Sequence, residues 1–291
     1  MLGSATGSIE LPGTGVPAFA IGLSGQVTHM AILMCRPGHF GVEYEINPWM
    51  HIEQEVDRGK AETQWQALYR AYLDLGQEVQ LVDQVAGLPD MVFAANAALV
   101  RNGTAVLARF RHPERQGEEP YWRDALAGRG LKVEAVSPGI SFEGAGDALF
   151  VGDRLFAGFG FRTDRASHPE LGRLLDTEVV SLQLVDPRFY HLDTCFCPLA
   201  PEVVMFAPEA FSPESARTIR RLVPHVIEVP TRLAVNFICN GVVVGDHLLS
   251  STGVENLDDE LKVEGLGSTP FPMTEFMKAG GGVRCLTLEL N

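Results

Sequence analysis

The sequence predicts an α/β fold built from one repeated module of strand, tight hairpin, strand, helix and strand. Three observations predict it: two-residue turn signals between apolar runs, helical patterns between the hairpins, and a short apolar run after most helices. Recurrence at a fixed period favours a radial or solenoid arrangement over one open sheet. The turn signals lie 50, 48 and 45 residues apart, at Asn102-Gly103, Gly152-Asp153, Ala200-Pro201 and Gly245-Asp246.

The helices are predicted from periodicity and from their end signals. In "SPESARTIRRL", Ser212 and Pro213 suit the N-cap and the first helical position. In "MTEFMKAGGG", the terminal glycines can supply a C-cap. The segment "AETQWQALYRAYLDLG" places an apolar face at helical spacing, consisting of Trp65, Leu68, Tyr69, Tyr72 and Leu73.

Short strands are expected after the helices, in "LKVEAV" and "HVIEVP". The segments "HMAILMC" and "VRCLTLEL", near the two ends of the sequence, are expected to close a fifth module. The first thirty residues hold no Lys or Arg, so they do not resemble a secretory signal. We expect an N-terminal extension over residues 1–28 and a single domain over residues 29–291.

Composition restricts the function classes. The 291 residues carry a formal net charge of −14, which argues against nonspecific binding to nucleic acid or to an anionic membrane. No apolar run is long enough to span a bilayer. The 5 cysteines are few and odd in number, which favours free thiols in a reducing cytoplasm over a disulfide framework. Composition does not decide whether the chain forms a homo-oligomer.

Polar residues recur a few positions before each turn: Asn96, Gly146-Asp147, His191 to Thr194, and Asn240. Unpaired polar side chains inside apolar strands are costly unless they meet a partner or a ligand. If the modules surround an axis, these groups meet at one end, around a central pocket. The sequence therefore predicts a polar site there.

A thiol and a histidine, Cys285 and His191, can form a nucleophile and base pair. Arg109 and Arg162 suit a carboxylate. Together with the acids and the amide given next, which suit a guanidinium, they suit a small zwitterion with a guanidinium at one end. The acids and the amide that suit a guanidinium, which is rich in N–H donors, are Asp90, Asn96, Glu143, Asp147 and Asp193.

Structural interpretations of the same residues remain open. Cys285 could be a small core residue on a last strand, and His191 a hydrogen-bonded core histidine. Glu143 and Asp147 could bond loop amides exposed by the glycines of "FEGAGDALF". The segment "HLDTCFC" combines His, Asp and two Cys, but no second cysteine pair completes a tetrahedral site, so no metal site is predicted.

The sequence resembles the guanidino-modifying enzymes, a group of arginine deiminases, amidinotransferases, dimethylarginine dimethylaminohydrolases and arginine dihydrolases. The resemblance runs in order from about residue 30 to the end and is closest to the arginine dihydrolase domain of cyanobacteria. It implies a five-module ββαβ propeller (pentein-type) around a central active site, with no cofactor. The segments that carry it include "MCRPGHFGVEYEINPWM", "PDMVFAANAALV", "RFRHPERQGEEPYW", "FEGAGDALF", "HLDTCFCPL", "VNFICNGVVVG" and "TEFMKAGGGVRCLTLEL".

The resemblance also implies roles for individual residues. Cys285 matches the nucleophile and His191 the general acid/base. Glu143 and Asp193 match acids that hold the guanidinium or orient the histidine. The remaining matches are the carboxylate-binding or pocket-shaping Arg109 and Arg162, and the dihydrolase asparagines Asn47 and Asn96. The three glycines Gly280, Gly281 and Gly282 are expected to let the loop approach the substrate and present Cys285.

In the resemblance, Asn96 stands where arginine deiminases and many dimethylarginine hydrolases carry an aspartate that grips the guanidinium. An amide can both donate and accept, so it tolerates the neutral ureido group of citrulline as well. The sequence therefore favours an arginine dihydrolase, which releases ornithine, ammonia and carbon dioxide. A dimethylarginine dimethylaminohydrolase, a non-catalytic guanidino-ligand sensor and, less favoured, an amidinotransferase remain as alternatives.

Overall fold

The computed structural model describes residues 31–252 and 257–290. Within these residues the strands form five three-stranded sheets, with helices between them. The predicted N-terminal extension, residues 1–28, lies outside the described residues. The α/β class is confirmed.

The strands are β1 (Ala31–Cys35), β2 (Glu78–Val82), β3 (Ala98–Arg101), β4 (Thr104–Leu107), β5 (Lys132–Ala135), β6 (Ala148–Val151), β7 (Arg154–Phe159), β8 (Val179–Gln183), β9 (Phe196–Ala200), β10 (Val203–Phe206), β11 (His225–Glu228), β12 (Val242–Val244), β13 (His247–Ser250), β14 (Gly267–Pro270) and β15 (Leu288–Glu289). The α-helices are α1 (Arg58–Asp74), α2 (Pro113–Gln116), α3 (Glu119–Ala127), α4 (Gly144–Asp147), α5 (His168–Leu175), α6 (Pro213–Leu222), α7 (Thr231–Ala234), α8 (Asp258–Val263) and α9 (Thr274–Met277). Single 3₁₀ turns cover Pro89–Val92, Ala94–Ala97, Arg165–Ser167, Pro187–Phe189, Leu192–Thr194 and Pro208–Ala210.

Each sheet repeats one plan. A first strand pairs antiparallel with the second through a tight hairpin, and the second pairs parallel with a third strand that follows a helix. The orders are β3-β4-β5, β6-β7-β8, β9-β10-β11 and β12-β13-β14. The fifth sheet joins the two ends of the described chain in the order β15-β1-β2, with Ile32 opposite Glu289. The predicted fifth module is therefore confirmed.

The hairpin turns follow local residue chemistry. Asn102 and Gly103 both have positive φ, at 50° and 74°, as a two-residue primed turn requires. Gly152 and Gly245 also have positive φ. The third turn was predicted one residue too early: β9 runs through Ala200, and the pairing register shifts between Val203 and Val204. An irregular register of this kind leaves no simple two-residue signal.

Helix α1 begins where Asp57 accepts a hydrogen bond from the Lys60 amide. Most of its predicted apolar face is buried, but Leu73 is 43% exposed, so its inclusion in that face was wrong. The buried face of the helix includes Ala61, Gln64 and Ala71 in place of Leu73. A stripe narrower than the full apolar set is the usual result of packing on one partner.

The predicted end signals of two other helices are confirmed. The Ser212 hydroxyl accepts from the Ser215 amide at the start of α6. After α9, Gly280 has φ +83°, its amide bonds the Met277 carbonyl, and the Gly281 amide bonds the Phe276 carbonyl. This pair of bonds is a Schellman cap, which favours glycine at the position with positive φ.

Apolar side chains pack into clusters between the sheets and the helices. One cluster brings together Phe40, Phe93 and Phe276 with Cys285 beside them. None of the helices in the described ranges is long and apolar enough to cross a membrane.

Candidate active site

The polar residues that precede the first strands lie close together, as predicted. The prediction placed them within the strands, whereas the structure places them on single helical turns. Asn96 is on the turn Ala94–Ala97, Asp147 ends α4, and Asp193 is on the turn Leu192–Thr194. A helical turn hydrogen-bonds part of its own backbone while it carries a polar side chain inward. The turns contact one another: the Asp147 Oδ1 atom accepts from the Leu192 amide at 3.0 Å.

Cys285 lies at the centre of this polar group and is buried. Its Sγ atom is 3.2 Å from Asp193 Oδ2 and 3.1 Å from Asn240 Nδ2. Burial, followed by the charge of Asp193, raises the pKa of the thiol well above its ordinary value. The free protein therefore keeps Cys285 as a thiol that donates to Asp193.

The expectation of a last strand at Cys285 was wrong. The Leu286 amide bonds the Gly282 carbonyl and the Thr287 amide bonds the Arg284 carbonyl, so a helical turn carries the cysteine. Strand β15 begins only at Leu288. On this turn the thiol contacts Asp193 and Asn240.

His191 is held by a buried carboxylate. Its Nε2 atom is 2.7 Å from Glu143 Oε2, and that same oxygen accepts from Arg162 NH1 at 3.0 Å. Burial alone would raise the pKa of Glu143, but Arg162 and His191 outweigh it and hold the pKa well below its usual range. Glu143 is therefore an ionised acceptor that fixes the imidazole, and Nδ1 is left as the ring nitrogen for chemistry.

Three further carboxyl groups in the site have raised pKa values because they are buried. The pKa of Asp193 rises to about 7, and those of Asp90 and Asp147 rise to about 6. Within the described ranges, Asp193 Oδ1 has no hydrogen-bond partner. Buried acids that are reluctant to ionise alone are suited to a cationic ligand, because its charge favours the ionised form.

Asn96 is tied to a buried arginine that the sequence analysis missed. Arg115 NH1 donates to Asn96 Oδ1 at 2.7 Å, and its NH2 donates to the Asp90 carbonyl at 3.1 Å. Glu118 binds the other edge of the guanidinium at 2.7 Å and 3.0 Å. The spacing of Arg115 and Glu118 on the chain, three residues apart, was the available signal for this ion pair.

The two predicted carboxylate-binding arginines differ in position. Arg162 is buried in the site, where it bonds Glu143 and the Ile46 carbonyl and lies over the Tyr190 ring at 4.7 Å. Arg109 is half-buried, and its Nε atom donates to the Val136 carbonyl at 2.7 Å. The side chain of Arg109 thus bonds a backbone carbonyl instead of a group of the site, and its role in binding the substrate carboxylate stays a prediction.

The irregular segment of residues 36–57 packs against the site. Asn47 donates to the Ala279 carbonyl at 3.0 Å and accepts from the Trp49 amide at 2.9 Å, so both its polar atoms bind protein groups. Trp49 donates through its indole to the Arg188 carbonyl at 2.9 Å. These contacts attach the segment to the loop that carries Arg188 and to the loop of the glycine cluster.

The three glycines allow close packing against protein groups, and their loop is buried. A side chain at Gly280 would lie 2.8 Å from Tyr190 Oη, and one at Gly281 would collide with the Phe93 ring. A side chain at Gly282 would lie 2.7 Å from Asn240 Oδ1. The glycines therefore seat the Cys285 turn on its neighbours, and the expected approach of their loop to the substrate stays a prediction.

A cavity of about 500 Å³ lies beside the site, not within it. Its lining includes Ala145 and Arg284, the chain neighbours of the site, but not Cys285, His191 or Asp193. Across residues 31–252 and 257–290, no group of His, Cys, Asp and Glu side chains is arranged to hold a metal ion. The 5 cysteines are free and buried.

A buried thiol beside one carboxylate, and a histidine held by another, provide the groups that guanidino-modifying enzymes use. Comparison with known proteins agrees with this class. The family described as N,N dimethylarginine dimethylhydrolase, eukaryotic, matches residues 37–291. The chain belongs to this family.

Relatives and solved structures extend the comparison. The bifunctional arginine dihydrolase/ornithine cyclodeaminase ArgZ of Synechocystis sp. is 46% identical over 265 residues, which is 89% of this chain and 37% of ArgZ. The chain thus spans just over a third of that relative. The N(G),N(G)-dimethylarginine dimethylaminohydrolase of Mycobacterium tuberculosis is 39% identical, over 89% of this chain and 85% of that protein. The N-terminal domain of ArgZ, in a cysteine-to-serine variant bound to substrate, matches with a TM-score of 0.87 and 45% identity, over 90% of this chain and 98% of that domain.

Proposed function

We propose that the chain is an arginine dihydrolase, which hydrolyses L-arginine at the guanidino carbon twice to give ornithine, carbon dioxide and ammonia. The observation that carries the proposal is the buried pair of Cys285 and His191, each within hydrogen-bond distance of its own carboxylate. The similarity to ArgZ, whose N-terminal domain is described as an arginine dihydrolase, supports the choice of substrate.

In the first half-reaction, the Cys285 thiol passes its proton to His191 and attacks the guanidinium carbon as a thiolate. The buried thiol resists ionisation, so the positive charge of the substrate is needed to favour the thiolate. Asp193 lies beside both the sulfur and the expected guanidinium, and accepts N–H donors once it is ionised. Because Glu143 holds Nε2, His191 protonates the departing nitrogen through Nδ1. Ammonia leaves, and a covalent thiouronium remains on Cys285.

Water then attacks this thiouronium, with His191 Nδ1 as the base, and citrulline forms in the site. Hydrolysis of the thiouronium expels Cys285 as a thiolate and leaves a proton of the water on His191. In the second half-reaction this thiolate attacks the neutral ureido carbon of citrulline, a second ammonia leaves with the proton from His191, and water releases ornithine and carbon dioxide. Entry of arginine requires residues 36–57 to move, because Asn47 and Trp49 attach that segment over the buried site.

We also propose that the five sheets surround a common axis as a propeller, and that residues 29–291 form one catalytic domain. Contacts between successive first strands support closure: β6 contacts β9, β9 contacts β12, and β15 contacts β3. The meeting of the polar turns beside Cys285 fits an active site on that axis.

A second candidate function is a dimethylarginine dimethylaminohydrolase, which would give citrulline and dimethylamine. The matching family description and the relative from Mycobacterium tuberculosis favour it. Asn96 argues against it, because its amide suits the neutral ureido group of citrulline, which such an enzyme releases without further reaction.

The experiment is to incubate the purified chain with L-arginine and, separately, with asymmetric dimethylarginine, and to measure ornithine, citrulline, ammonia and dimethylamine. Two ammonia per ornithine from arginine, with little dimethylamine from the methylated substrate, is expected. Dimethylamine as the main product selects the second candidate. Saturable arginine binding with no product from either substrate would identify a ligand sensor and overturn both enzyme assignments.

A further inference from the structure

The cavity of about 500 Å³ extends along the first strands of the sheets, away from the active site. At one end its lining includes Ala145 and Arg284, the chain neighbours of the site. At the other end it includes Arg101, Gly152 and Gly245, which lie at or next to the hairpin turns. Each of the five sheets contributes to the wall, through Leu99, Leu149, Leu199, Val243 and Glu289.

An ion pair lines the cavity at the end next to the site. Arg284 NH1 donates to Glu289 Oε1 at 2.7 Å, and the two side chains are only 13% and 26% exposed. The Nε atom of Arg284 has no hydrogen-bond partner among the described residues, so Glu289 uses only part of the donor capacity of the guanidinium. The cavity therefore presents one positive and one negative group side by side, and the positive group has donors to spare.

The charges and walls of the cavity define the class of ligand. Small-molecule sites are cavities of roughly 300–1,000 Å³ with apolar walls and a few charged or polar groups, and this cavity has that form. A ligand carboxylate suits the spare donors of Arg284, and a neighbouring ammonium suits Glu289. The third charged group of the lining, Arg101, already bonds Asp153 at 3.2 Å and lies over the Phe150 ring at 4.4 Å. A zwitterion with an aliphatic side chain therefore matches the cavity better than a simple anion or cation.

We propose that this cavity is a regulatory site for an α-amino acid with an aliphatic side chain, and that the bound amino acid weakens the binding of arginine at the active site. Arg284 binds its carboxylate and Glu289 its ammonium, while the leucine and valine side chains of the first strands contact its aliphatic group. The binding site stands on the cavity alone. Its coupling to arginine rests on the function proposed above.

Arg284 connects the cavity to the nucleophile. It directly precedes Cys285, and the amides of both residues donate to Asn240 Oδ1, at 3.0 Å and 3.4 Å. Burial raises the pKa of Asp193, and the charge of Arg284 opposes that rise. A ligand carboxylate on Arg284 offsets this charge, so Asp193 ionises less readily and accepts a guanidinium less well. The amino acid is therefore expected to inhibit.

The first experiment is calorimetric titration of the wild-type chain with L-leucine, with 4-methylpentanoate and with isopentylamine. The second compound lacks the ammonium of leucine and the third lacks its carboxylate. Leucine is expected to bind saturably, and each analogue at least about tenfold more weakly, because each leaves one member of the ion pair without a ligand partner. Absence of leucine binding, or equal affinity for leucine and either analogue, overturns the proposal.

The second experiment locates the bound leucine. Val243→Phe fills part of the cavity from the half-buried strand position of Val243, so leucine affinity is expected to fall at least about tenfold while arginine turnover persists. Val263→Phe is the matched control, because Val263 is 83% exposed at the end of α8, and it is expected to keep wild-type leucine binding. Unchanged leucine affinity in Val243→Phe overturns the assignment to this cavity. If Val243→Phe does not fold, Glu289→Gln decides: it must lose affinity for leucine but not for 4-methylpentanoate.

The third experiment tests the coupling, by titrating Cys285→Ser with leucine at increasing concentrations of arginine. Coupling between two sites is reciprocal, so arginine is expected to raise the apparent Kd of leucine by a limited factor, about 5–150-fold, and then to a plateau. A Kd that rises in proportion to arginine without a plateau places leucine in the active site and overturns the proposal. A Kd that arginine leaves unchanged refutes the coupling. If arginine itself does not bind, the proposed function and the coupling both fail, while the leucine titrations still decide whether the cavity is a site.

Discussion

Gly282 supports the nucleophile through its lack of a side chain, and Gly282→Ala is the perturbation that tests this. An added Cβ would lie 2.7 Å from Asn240 Oδ1 and closer still to Ser251 Oγ, while ordinary contact begins near 3.4 Å. Asn240 Oδ1 accepts from the amides of Arg284 and Cys285, and its Nδ2 lies beside the Cys285 sulfur. A displaced Asn240 therefore displaces the thiol.

The overlap sets the magnitude. Asn240 Oδ1 must move by about 0.7 Å and Ser251 Oγ by more, and overpacking of a buried site typically costs about 1–3 kcal/mol of unfolding free energy. A misplacement approaching 1 Å lowers a reaction rate by about 10²-fold. We therefore expect kcat for arginine to fall about 10²-fold in Gly282→Ala, with a loss of about 1–3 kcal/mol in stability.

The assay is ammonia release over a range of arginine concentrations, together with urea unfolding. Gly267→Ala is the matched control, because its Cβ would meet atoms only at 3.8 Å and 3.9 Å, on the exposed strand β14. This control is expected to keep both kcat and stability. If Gly282→Ala also keeps the wild-type kcat and unfolds at the same urea concentration, the proposed seating of Cys285 is refuted.

Three further predictions concern the side chains of Glu143, Asp193 and Cys285. Glu143→Gln leaves Arg162 unpaired and weakens the hold on His191, so we expect a loss of about 3–5 kcal/mol in urea unfolding and a kcat about 10²–10⁴-fold lower; unchanged stability would contradict this. Burial raises the pKa of Asp193 to about 7, so its contribution to stability is full below the unfolded value of about 3.9 and is lost as pH rises through about 7. The unfolding free energy of the wild type should therefore fall relative to Asp193→Asn over that window, and parallel pH profiles would refute the assignment. Cys285→Ser should abolish ammonia release while calorimetry still detects arginine binding, and substantial residual turnover would exclude Cys285 as the nucleophile.

Much of the fold could be predicted because its signals are local. The residues Asn102 and Gly103 both adopt positive φ, which few residue pairs tolerate, so a hairpin follows from the pair itself. The pairing register of the third hairpin shifts at Val203, and no residue type at that position predicts the shift. The expected strand at Cys285 failed for a related reason. Among the described residues near Cys285, Leu288 and Glu289 are the ones that pair with β1, so the apolar residues before them are free to form a turn.

The candidate site shows the same division. The kinds of side chain in the site could be predicted, since acids, an amide and a histidine precede the turns and a cysteine lies near the end of the sequence. The choice between Arg109 and Arg115 could not, because both lie in one short segment. The start of helix α2 at Pro113 places Arg115 inside, where Glu118 neutralises it. Long-range packing, not residue type, determines that Arg115 is the arginine buried beside Asn96.

The most direct test of the central claim is to trap the covalent intermediate. Arginine labelled at its guanidino carbon is mixed with the protein, the reaction is quenched with acid during turnover, and the peptides are analysed by mass spectrometry. The account predicts label on the peptide that contains Cys285, and its absence in Cys285→Ser. If the protein turns over arginine while the Cys285 peptide stays unlabelled, or if Cys195 or Cys239 carries the label, the proposed mechanism is wrong.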